Sequence, residues 1–530
     1  MQPQHGLEER PTILALAATP VRQHTKSHRL LEFLPGICTW LLLSSLLWAS
    51  LLFPMALAMV AVLYDSYWLY RSTSLGIRVV VAYRRLRRSE AFDWLGAARC
   101  LPDFGRVHHL LIIPTYGESP DILRATLRRI TEQDFPRDRL AVVLAFETRD
   151  PQAAHHARAL LEEFDGQFGY LWATFHPQLP GEVAGKSSNE AWAARWAKER
   201  LIDEAGVELA FTTVTTCDAD SRFPPKYFSA LAFEFLTKPR LRMFQPVILF
   251  YSNIWRIPAP SRVLNSVHSL WQLAKLTRRD KMVTQSTYSL SFAACVEAGY
   301  WDVDIIPEES HMFFKLLFHF GDEVRVEPIY LPVLSDAAER PGYVGTLRSQ
   351  FEQEKRWAWG VADIPYVLLG LWRTSKTLSF SRFYRALRYI EEHLSWPVAP
   401  FLITFGTSAP SHLNHDFATS AMGHFLPNLS SYLLTASLAS MGVMVIIDHR
   451  LKPPAPANQP LAKVLHLLEW CLMPAVGIAL SALPGLVAHT RLLLGRYLEY
   501  KVTQKLPSAV EPLPLLHIEQ VQVPVVVSNQ

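Results

Sequence analysis

Charged residues are scarce in this 530-residue chain: they make up only 19% of it, against about 25% of an average soluble protein. The 52 Lys and Arg residues nearly balance the 48 Asp and Glu residues, so the net charge is only +4. A charge this small excludes a protein that binds nucleic acid through its overall electrostatic field. The length predicts several domains, each able to bury a core.

Cysteine is also scarce, and no two cysteines lie close together in the sequence. The five are Cys38, Cys100, Cys217, Cys295 and Cys471. Since closely spaced pairs are missing, we expect neither a disulfide framework nor a zinc site. The catalytic chemistry is therefore expected not to use sulfur.

Hydrophobic residues, by contrast, make up 50% of the chain. Residues 37–70 form one apolar run, which is long for a single spanning helix of about 20 residues and short for two. Basic residues flank this run on both sides: Arg22, Lys26 and Arg29 before it, and Arg71, Arg78, Arg84, Arg85, Arg87 and Arg88 after it. Both ends are therefore expected in the cytoplasm. We expect a hairpin that turns near Phe53-Pro54, with one long tilted helix as the alternative.

Three more apolar segments lie in the C-terminal third, at residues 394–410, 429–447 and 464–490. Their lengths predict a multi-pass protein with about four to six membrane helices. Basic residues on both sides of the last segment favour a cytoplasmic C-terminus. Residues 361–373 are too short to span, so this segment is either an interfacial helix or a packed helix of the soluble domain.

The apolar runs divide the chain into seven regions. These are a cytoplasmic tail (1–30), a transmembrane hairpin (31–72), a basic connector (73–105), a soluble domain (106–360), interfacial helices (361–393), a C-terminal transmembrane region (394–500) and a second cytoplasmic tail (501–530).

Short apolar runs alternate with helical patterns in the soluble domain. Residues 107–113, 140–146 and 207–220 are expected to contain strands, with helices at about 151–165 and 187–204. This alternation predicts an α/β fold with a mostly parallel sheet. Ligands of such sheets bind at the carboxyl ends of the strands.

Polar residues follow these strands directly. Pro114, Tyr116 and Glu118 follow the first strand, Glu147 the second, and Asp218 and Asp220 the third. Two carboxylates spaced in this way can hold a divalent cation or a sugar, although a solvated turn is the simpler explanation. Lys186 opens a helix and could contact a diphosphate, or could be an ordinary exposed lysine.

Two later segments complete the candidate site. Glu308 and Glu309 precede an apolar helical stretch, where one of them could be a general base or both could simply favour the helix N-terminus. The sequence QEKRW supplies an amide, a cation and an aromatic plane at Gln353, Arg356 and Trp357. A helix surface explains the first two equally well.

Taken in order, PTYGE, Glu147, GK..N, DAD (a DXD motif), the acidic pair and QEKRW (a QxxRW motif) resemble the motifs of family 2 processive glycosyltransferases. This group includes the cellulose synthases and hyaluronan synthases. The resemblance covers residues 106 to about 360. It implies a Rossmann-like GT-A domain in the cytoplasm, inserted between N- and C-terminal transmembrane helices. The implied activity is that of a metal-dependent, inverting hexosyltransferase with a nucleotide-sugar donor.

The resemblance also implies roles for individual residues. The nucleotide pocket would be lined by Pro114, Tyr116 and Glu118, with Glu147 near uridine. Lys186 would contact the donor diphosphate, and Asp218 and Asp220 would bind it together with Mg²⁺ or Mn²⁺. Glu309 would be the catalytic base, with Glu308 as a second candidate. Arg356 and Trp357 would flank the diphosphate and the acceptor sugar, and Gln353 would shape the site.

Two residues depart from the family pattern. Glu309 stands where relatives usually carry the aspartate base, and its extra methylene moves the carboxylate by roughly an ångström. Glu147 stands where many relatives have aspartate, which weakens the expectation of a UDP-sugar. His311 could contact the acceptor, but a structural role is slightly favoured.

Three functions fit the sequence. The first is an enzyme of polysaccharide biosynthesis that extends a saccharide acceptor. The second is a single-addition enzyme that glycosylates a lipid carrier or glycolipid, and the third is a catalytically silent membrane binding module. The expected partners are a nucleotide-sugar donor, a saccharide or lipid-linked acceptor and membrane lipids, with no nucleic acid.

Overall fold

The structure is a computed structural model that describes residues 4–7, 25–377, 379–454 and 465–499. The predicted tail at 501–530 and most of the tail at 1–30 lie outside these residues. The other predicted region boundaries stay predictions.

Two long helices open the described chain: α1 (Lys26–Leu52) and α2 (Pro54–Ala91). The residue between them, Phe53, has non-helical backbone angles, and Pro54 occupies the first turn of α2, where its missing N–H costs nothing. The chain thus leaves the helix at the point where the hairpin is expected to turn.

The sheet lies between these helices and the C-terminal ones. Seven of its strands come from the middle of the chain: β2 (His108–Thr115), β3 (Leu140–Glu147), β4 (Tyr170–His176), β5 (Thr212–Thr216), β6 (Arg242–Leu249), β7 (Tyr288–Ser291) and β8 (Arg325–Leu334). The eighth, β1 (Gln4–Leu7), pairs with β4 at the edge. The strand order is β1-β4-β3-β2-β5-β7-β6-β8. Among the strands that the structure describes, the pairings of β7 are antiparallel and the others are parallel.

Burial explains why these segments form strands. Every residue of β3 is buried, as expected for a parallel strand covered by helices on both faces. The helices in this part of the chain are α3 (Trp94–Arg99), α4 (Pro120–Thr131), α5 (Ala153–Glu163), α6 (Lys186–Ala197), α7 (Tyr227–Thr237), α8 (Ala259–Lys275), α9 (Phe292–Glu297), α10 (Glu308–Phe320) and α11 (Tyr343–Ala358). The predicted α/β domain with a mostly parallel sheet is confirmed.

The C-terminal part is helical: α12 (Ile364–Arg373), α13 (Phe380–Phe405), α14 (Ser408–Leu413), α15 (His415–Ala418), α16 (Ala421–Leu451) and α17 (Leu465–Leu493). Among the described residues, α1, α16 and α17 are long and apolar enough to span a membrane. Segment 394–410 falls within α13, the turn after it and α14, and it is not among these three. The placement of the α/β domain between apolar helices is confirmed.

Hydrogen bonds and ion pairs join these helices to each other and to the sheet. Arg71 on α2 pairs with Glu391 on α13 at 2.8 Å, and Arg85 donates to the Tyr330 hydroxyl on β8 at 2.9 Å. Helix α2 therefore contacts both the C-terminal helices and the domain.

Candidate active site

A cavity of about 640 Å³ lies at the carboxyl ends of the central strands. All twelve residues predicted for the site line this one cavity: Pro114, Tyr116, Glu118, Glu147, Lys186, Asp218, Asp220, Glu308, Glu309, Gln353, Arg356 and Trp357. The topology explains this for the residues after β2, β3 and β5, because parallel strands bring the loops that follow them to the same edge of the sheet. The others reach the cavity from α6, α10 and α11.

The two aspartates after β5 have different environments. Asp218 is partly exposed in the cavity, where its carboxylate accepts a hydrogen bond from the Ser286 hydroxyl at 2.7 Å. Asp220 is buried, and its Oδ2 accepts from the backbone N–H of Asp336 at 2.6 Å. Only the first carboxylate therefore has substantial contact with solvent.

Lys186 is the centre of a buried charge cluster, rather than the exposed lysine that one sequence interpretation allowed. Its ammonium lies 2.7 Å from Glu308, 3.3 Å from Asp218 and 3.7 Å from Glu190. It also donates to the carbonyl of Ser286 at 3.0 Å. Burial disfavours the charged lysine, but the carboxylates outweigh this effect, so the pKa of Lys186 lies well above its ordinary value.

Glu190 belongs to this cluster, although the sequence analysis did not single it out. It is fully buried one helical turn after Lys186 on α6 and accepts a hydrogen bond from the Thr216 hydroxyl. Burial raises the pKa of Glu190 to about 7, against the opposing effect of Lys186. The i, i+4 spacing of a lysine and a glutamate was a signal that could have identified it.

The acidic pair at the start of α10 divides into a buried and an accessible member. Glu308 is 1% exposed, and its carboxylate contacts Lys186 and accepts from the Tyr288 hydroxyl at 2.8 Å. Trp301 in turn donates to that hydroxyl at 2.7 Å. Burial and the neighbouring Glu190 raise the pKa of Glu308 well above its ordinary value. Glu309 is half-buried and lines the cavity.

His311 fixes the helix that carries this pair. Its two ring nitrogens lie 2.5 Å from a carboxylate oxygen of Asp363 and 2.9 Å from one of Asp302. The ring also stacks on Tyr366, with 4.2 Å between the ring centroids. This environment suits the structural role favoured for His311, and the residue does not line the cavity.

The end of the cavity at β2 and β3 combines aromatic and charged groups. Arg149 stacks on Tyr116, 4.5 Å from the ring centroid, and pairs with Glu147. Burial raises the pKa of Glu147, while Arg149 acts in the opposite direction. Glu118 accepts from the Thr115 hydroxyl at 2.8 Å and from the Tyr116 N–H at 2.5 Å, so it also shapes the loop.

The QEKRW segment lies in the second half of α11. Trp357 packs against Phe250 and His268, with ring centroids 5.4 and 5.3 Å apart. His268 also lies 2.9 Å from Glu354, which belongs to the same QEKRW segment. Gln353 is buried and Arg356 is half-buried, so the segment is more than a solvated helix surface.

From this segment the cavity continues between the C-terminal helices. Helix α13 contributes Trp396, Ala399, Pro400, Ile403 and Thr404, and α17 contributes Met473, Pro474, Gly477 and Ser481. Along its length the cavity is lined by four tryptophans: Trp68, Trp271, Trp357 and Trp396. It therefore reaches from the strand ends to helices that include a candidate membrane span.

The described residues contain no cluster of three or more His, Cys, Asp or Glu side chains able to hold a metal ion by themselves. They do place Asp218 and Asp220 in one cavity with Lys186 and Arg356. Mg²⁺ is usually bound by one or two carboxylates together with substrate phosphates. This carboxylate pair therefore fits a metal ion that binds together with a diphosphate.

A comparison with known protein families gives a match over part of the chain. Residues 213–447 match the family described as glycosyl transferase family group 2. This match, which includes Asp218, Glu309 and Trp357, supports a family 2 glycosyltransferase. Together with the mixed sheet it confirms the predicted GT-A fold class. The cellulose synthase-like or hyaluronan synthase-like subtype stays a prediction.

Solved structures that resemble this chain include a mannosyltransferase, PcManGT from Pyrobaculum calidifontis, in complex with GDP-Man and Mn²⁺. It is 16% identical, with 71% of this chain and 99% of that chain covered and a TM-score of 0.39. Another is residues 1–349 of TarS from S. aureus in complex with UDP-GlcNAc, which is 11% identical, with 65% and 91% covered and a TM-score of 0.30. No curated protein matches the chain.

Proposed function

We propose that the protein is a membrane-integrated, inverting glycosyltransferase that transfers a sugar from a nucleotide-sugar donor to a growing polysaccharide. The observation that carries the proposal is the single cavity that joins the carboxylates at the strand ends to the space between α13 and α17. A donor would bind at the first end and an elongating acceptor could occupy the second. The family match supports the transferase chemistry.

The donor would bind across the carboxyl edge of the sheet, with its base near Tyr116 and Glu147. Lys186 and Arg356 would face the diphosphate. Asp218 and Asp220 would hold Mg²⁺ or Mn²⁺, which would neutralise charge on the departing nucleoside diphosphate. Since Lys186 already contacts Asp218, it would also fix this carboxylate.

Glu309 would act as the general base. The acceptor hydroxyl oxygen forms a bond to the anomeric carbon, while the bond from that carbon to the diphosphate oxygen breaks on the opposite face. The hydroxyl proton passes to Glu309, and the bonding electron pair leaves with the nucleoside diphosphate. Glu308 would be a positioning residue instead, because Lys186 and Tyr288 hold it in the buried cluster.

The acceptor would extend from Trp357 towards Trp396. Tryptophan faces offer large apolar surfaces on which sugar rings can pack, and both residues line the same cavity. The basic flanks of the apolar runs support a cytoplasmic catalytic domain. The product would then be extended from the cytoplasmic side.

The test is nucleotide release by the purified protein in lipid, with Mg²⁺ or Mn²⁺, across a panel of UDP- and GDP-sugars, followed by sizing of the labelled product. Metal-dependent release with a long product is the expected result. A short, lipid-extractable product would contradict elongation and favour the single-addition enzyme. No release with any donor, with saccharide and lipid acceptors supplied, would favour the binding module.

A further inference from the structure

A second cavity, of about 670 Å³, lies between α2, β8 and the start of α13. Four arginines line it (Arg85, Arg279, Arg325 and Arg385), together with one carboxylate, Asp280, and the side chains of Tyr330 and Ser381. None of them lines the catalytic cavity. The site is therefore separate from the proposed transferase chemistry.

Three of these arginines have no carboxylate partner within ion-pair distance in the part of the chain that the structure describes: Arg85, Arg325 and Arg385. Arg385 is only 4% exposed, and its guanidinium donates to the carbonyls of Met282 and Arg279 at 3.4 and 3.3 Å. Burial, followed by the charge of Arg325, lowers the pKa of Arg385. A buried cation without an anion is unfavourable, so this position would be stabilised by a negatively charged ligand.

Three carboxylates lie in or near the cavity, and none forms an ion pair with Arg85, Arg325 or Arg385. Asp280 pairs with Arg278 at 2.8 Å, Glu327 with Arg279 at 3.2 Å, and Asp322 with Arg382 at 3.1 Å. The cavity therefore keeps an excess of positive charge.

Helix α13 adds hydrogen-bond donors to this charge. Ser381 lies in its first turn, where backbone N–H groups have no partner within the helix. The Ser379 side chain caps one of them, the N–H of Arg382, at 3.1 Å. Arginines beside the N-terminus of a 26-residue helix are typical of sites that bind phosphate.

The opposite face of the same helix indicates that a phosphate bound in this cavity would belong to a membrane lipid. Phe380, Phe383 and Leu387, at intervals of three and four residues, are all exposed on α13, and Trp372 at the end of α12 is 74% exposed. Ser381 and Arg385 are four residues apart and face the cavity instead. A helix with an apolar outer face and basic residues beside it is typical of the membrane interface.

We propose that this arginine cavity binds the phosphate group of an anionic phospholipid headgroup, with the exposed face of α13 in the adjoining lipid. The apolar residues would contact acyl chains, while Arg325, Arg385 and Arg85 would contact the phosphate. The site would make the position of α13, which also lines the catalytic cavity, dependent on lipid charge.

The test is native mass spectrometry of the full-length protein in detergent, titrated with short-chain phosphatidylglycerol, phosphatidylcholine or inorganic pyrophosphate. We expect tighter binding of phosphatidylglycerol than of phosphatidylcholine. Arg85→Ala combined with Arg325→Ala should weaken it about 25-fold, at about fivefold for each arginine. Arg137→Ala combined with Arg158→Ala removes the same charge from exposed positions outside the cavity, and should change binding by less than about twofold.

Equal losses in the two double variants would overturn the proposal, as would equal binding of both phospholipids. If pyrophosphate binds but phosphatidylglycerol binds no more tightly than phosphatidylcholine, the proposal that the phosphate belongs to a lipid would be wrong. Arg325→Lys keeps the charge at an exposed position and should keep most of the affinity, so it tests the site even if the double variant folds poorly. Melting curves without lipid report that folding.

Discussion

Replacement of Lys186 by methionine tests the buried charge cluster directly. The substitution keeps most of the side-chain volume but removes the cation that lies 2.7 Å from Glu308 and 3.7 Å from Glu190. Breaking a buried ion pair by removing one partner costs about 3–5 kcal/mol, because the other charge is left buried and unpaired. We expect a loss of this size at pH 8.

The loss should be smaller at low pH, since the cluster can then take up protons. The pKa of Glu190 is raised from 4.5 to about 7 in the folded protein. Protonation of this group therefore favours folding fully below about pH 4.5, and the contribution is lost as the pH rises to about 7. Without Lys186 the pKa values of Glu190 and Glu308 should rise further, so the variant should be much less impaired at pH 5.

The assay is thermal unfolding of the full-length protein in detergent at pH 5 and pH 8. A destabilisation of this size should lower the melting temperature of Lys186→Met by about 10 °C at pH 8. Lys198→Met is the matched control, because this lysine is partly exposed and forms a surface ion pair with Asp203, so the effect should be small. Addition of Glu308→Gln to Lys186→Met should recover part of the loss. An equal loss at both pH values, or no larger loss than in the control, would refute the reasoning.

Three further predictions concern the transfer reaction. Glu309→Gln should lower nucleotide release by about 100-fold or more, since a general base contributes about 10²–10⁴ to the rate; near-normal release would remove it as the base. Asp220→Asn should abolish metal-dependent release with little change in melting temperature, because the amide oxygen can still accept from the Asp336 N–H; unchanged metal dependence would contradict its role. Trp396→Ala should shorten the labelled product while Trp48→Ala, an exposed position outside the cavity, leaves its length unchanged; equal product lengths would contradict the acceptor path.

One regularity, the polar residues after apolar strands, predicted the mostly parallel sheet and part of the candidate site. Tyr116, Glu147 and Asp218 could be placed near one another because the strands before them were expected to be parallel, and all three line one cavity. Residues that directly follow neighbouring parallel strands lie close together in space, even when they are far apart in the sequence. The position of Lys186 at the start of a helix was also predicted correctly.

Other contacts depend on how distant segments pack, and no local pattern indicates them. Ser286 and Tyr288 contact Asp218 and Glu308 only because β7 pairs with β5 in antiparallel orientation. The sequence also could not decide which of Glu308 and Glu309 is buried, since adjacent helical residues differ by about 100° in direction. The helix phase is set by the packing of α10, including the contacts of His311.

Helix α2 is long enough to contact several parts of the molecule. With 38 residues it is about 57 Å long, and it lines the catalytic cavity with Trp68 and Arg71 before Arg85 reaches β8. If this helix tilts about its centre, its two ends move in opposite directions. Since α2 contacts the cavity, the sheet and α13, a displacement of this helix would shift the wall of the catalytic cavity and the edge of the sheet together.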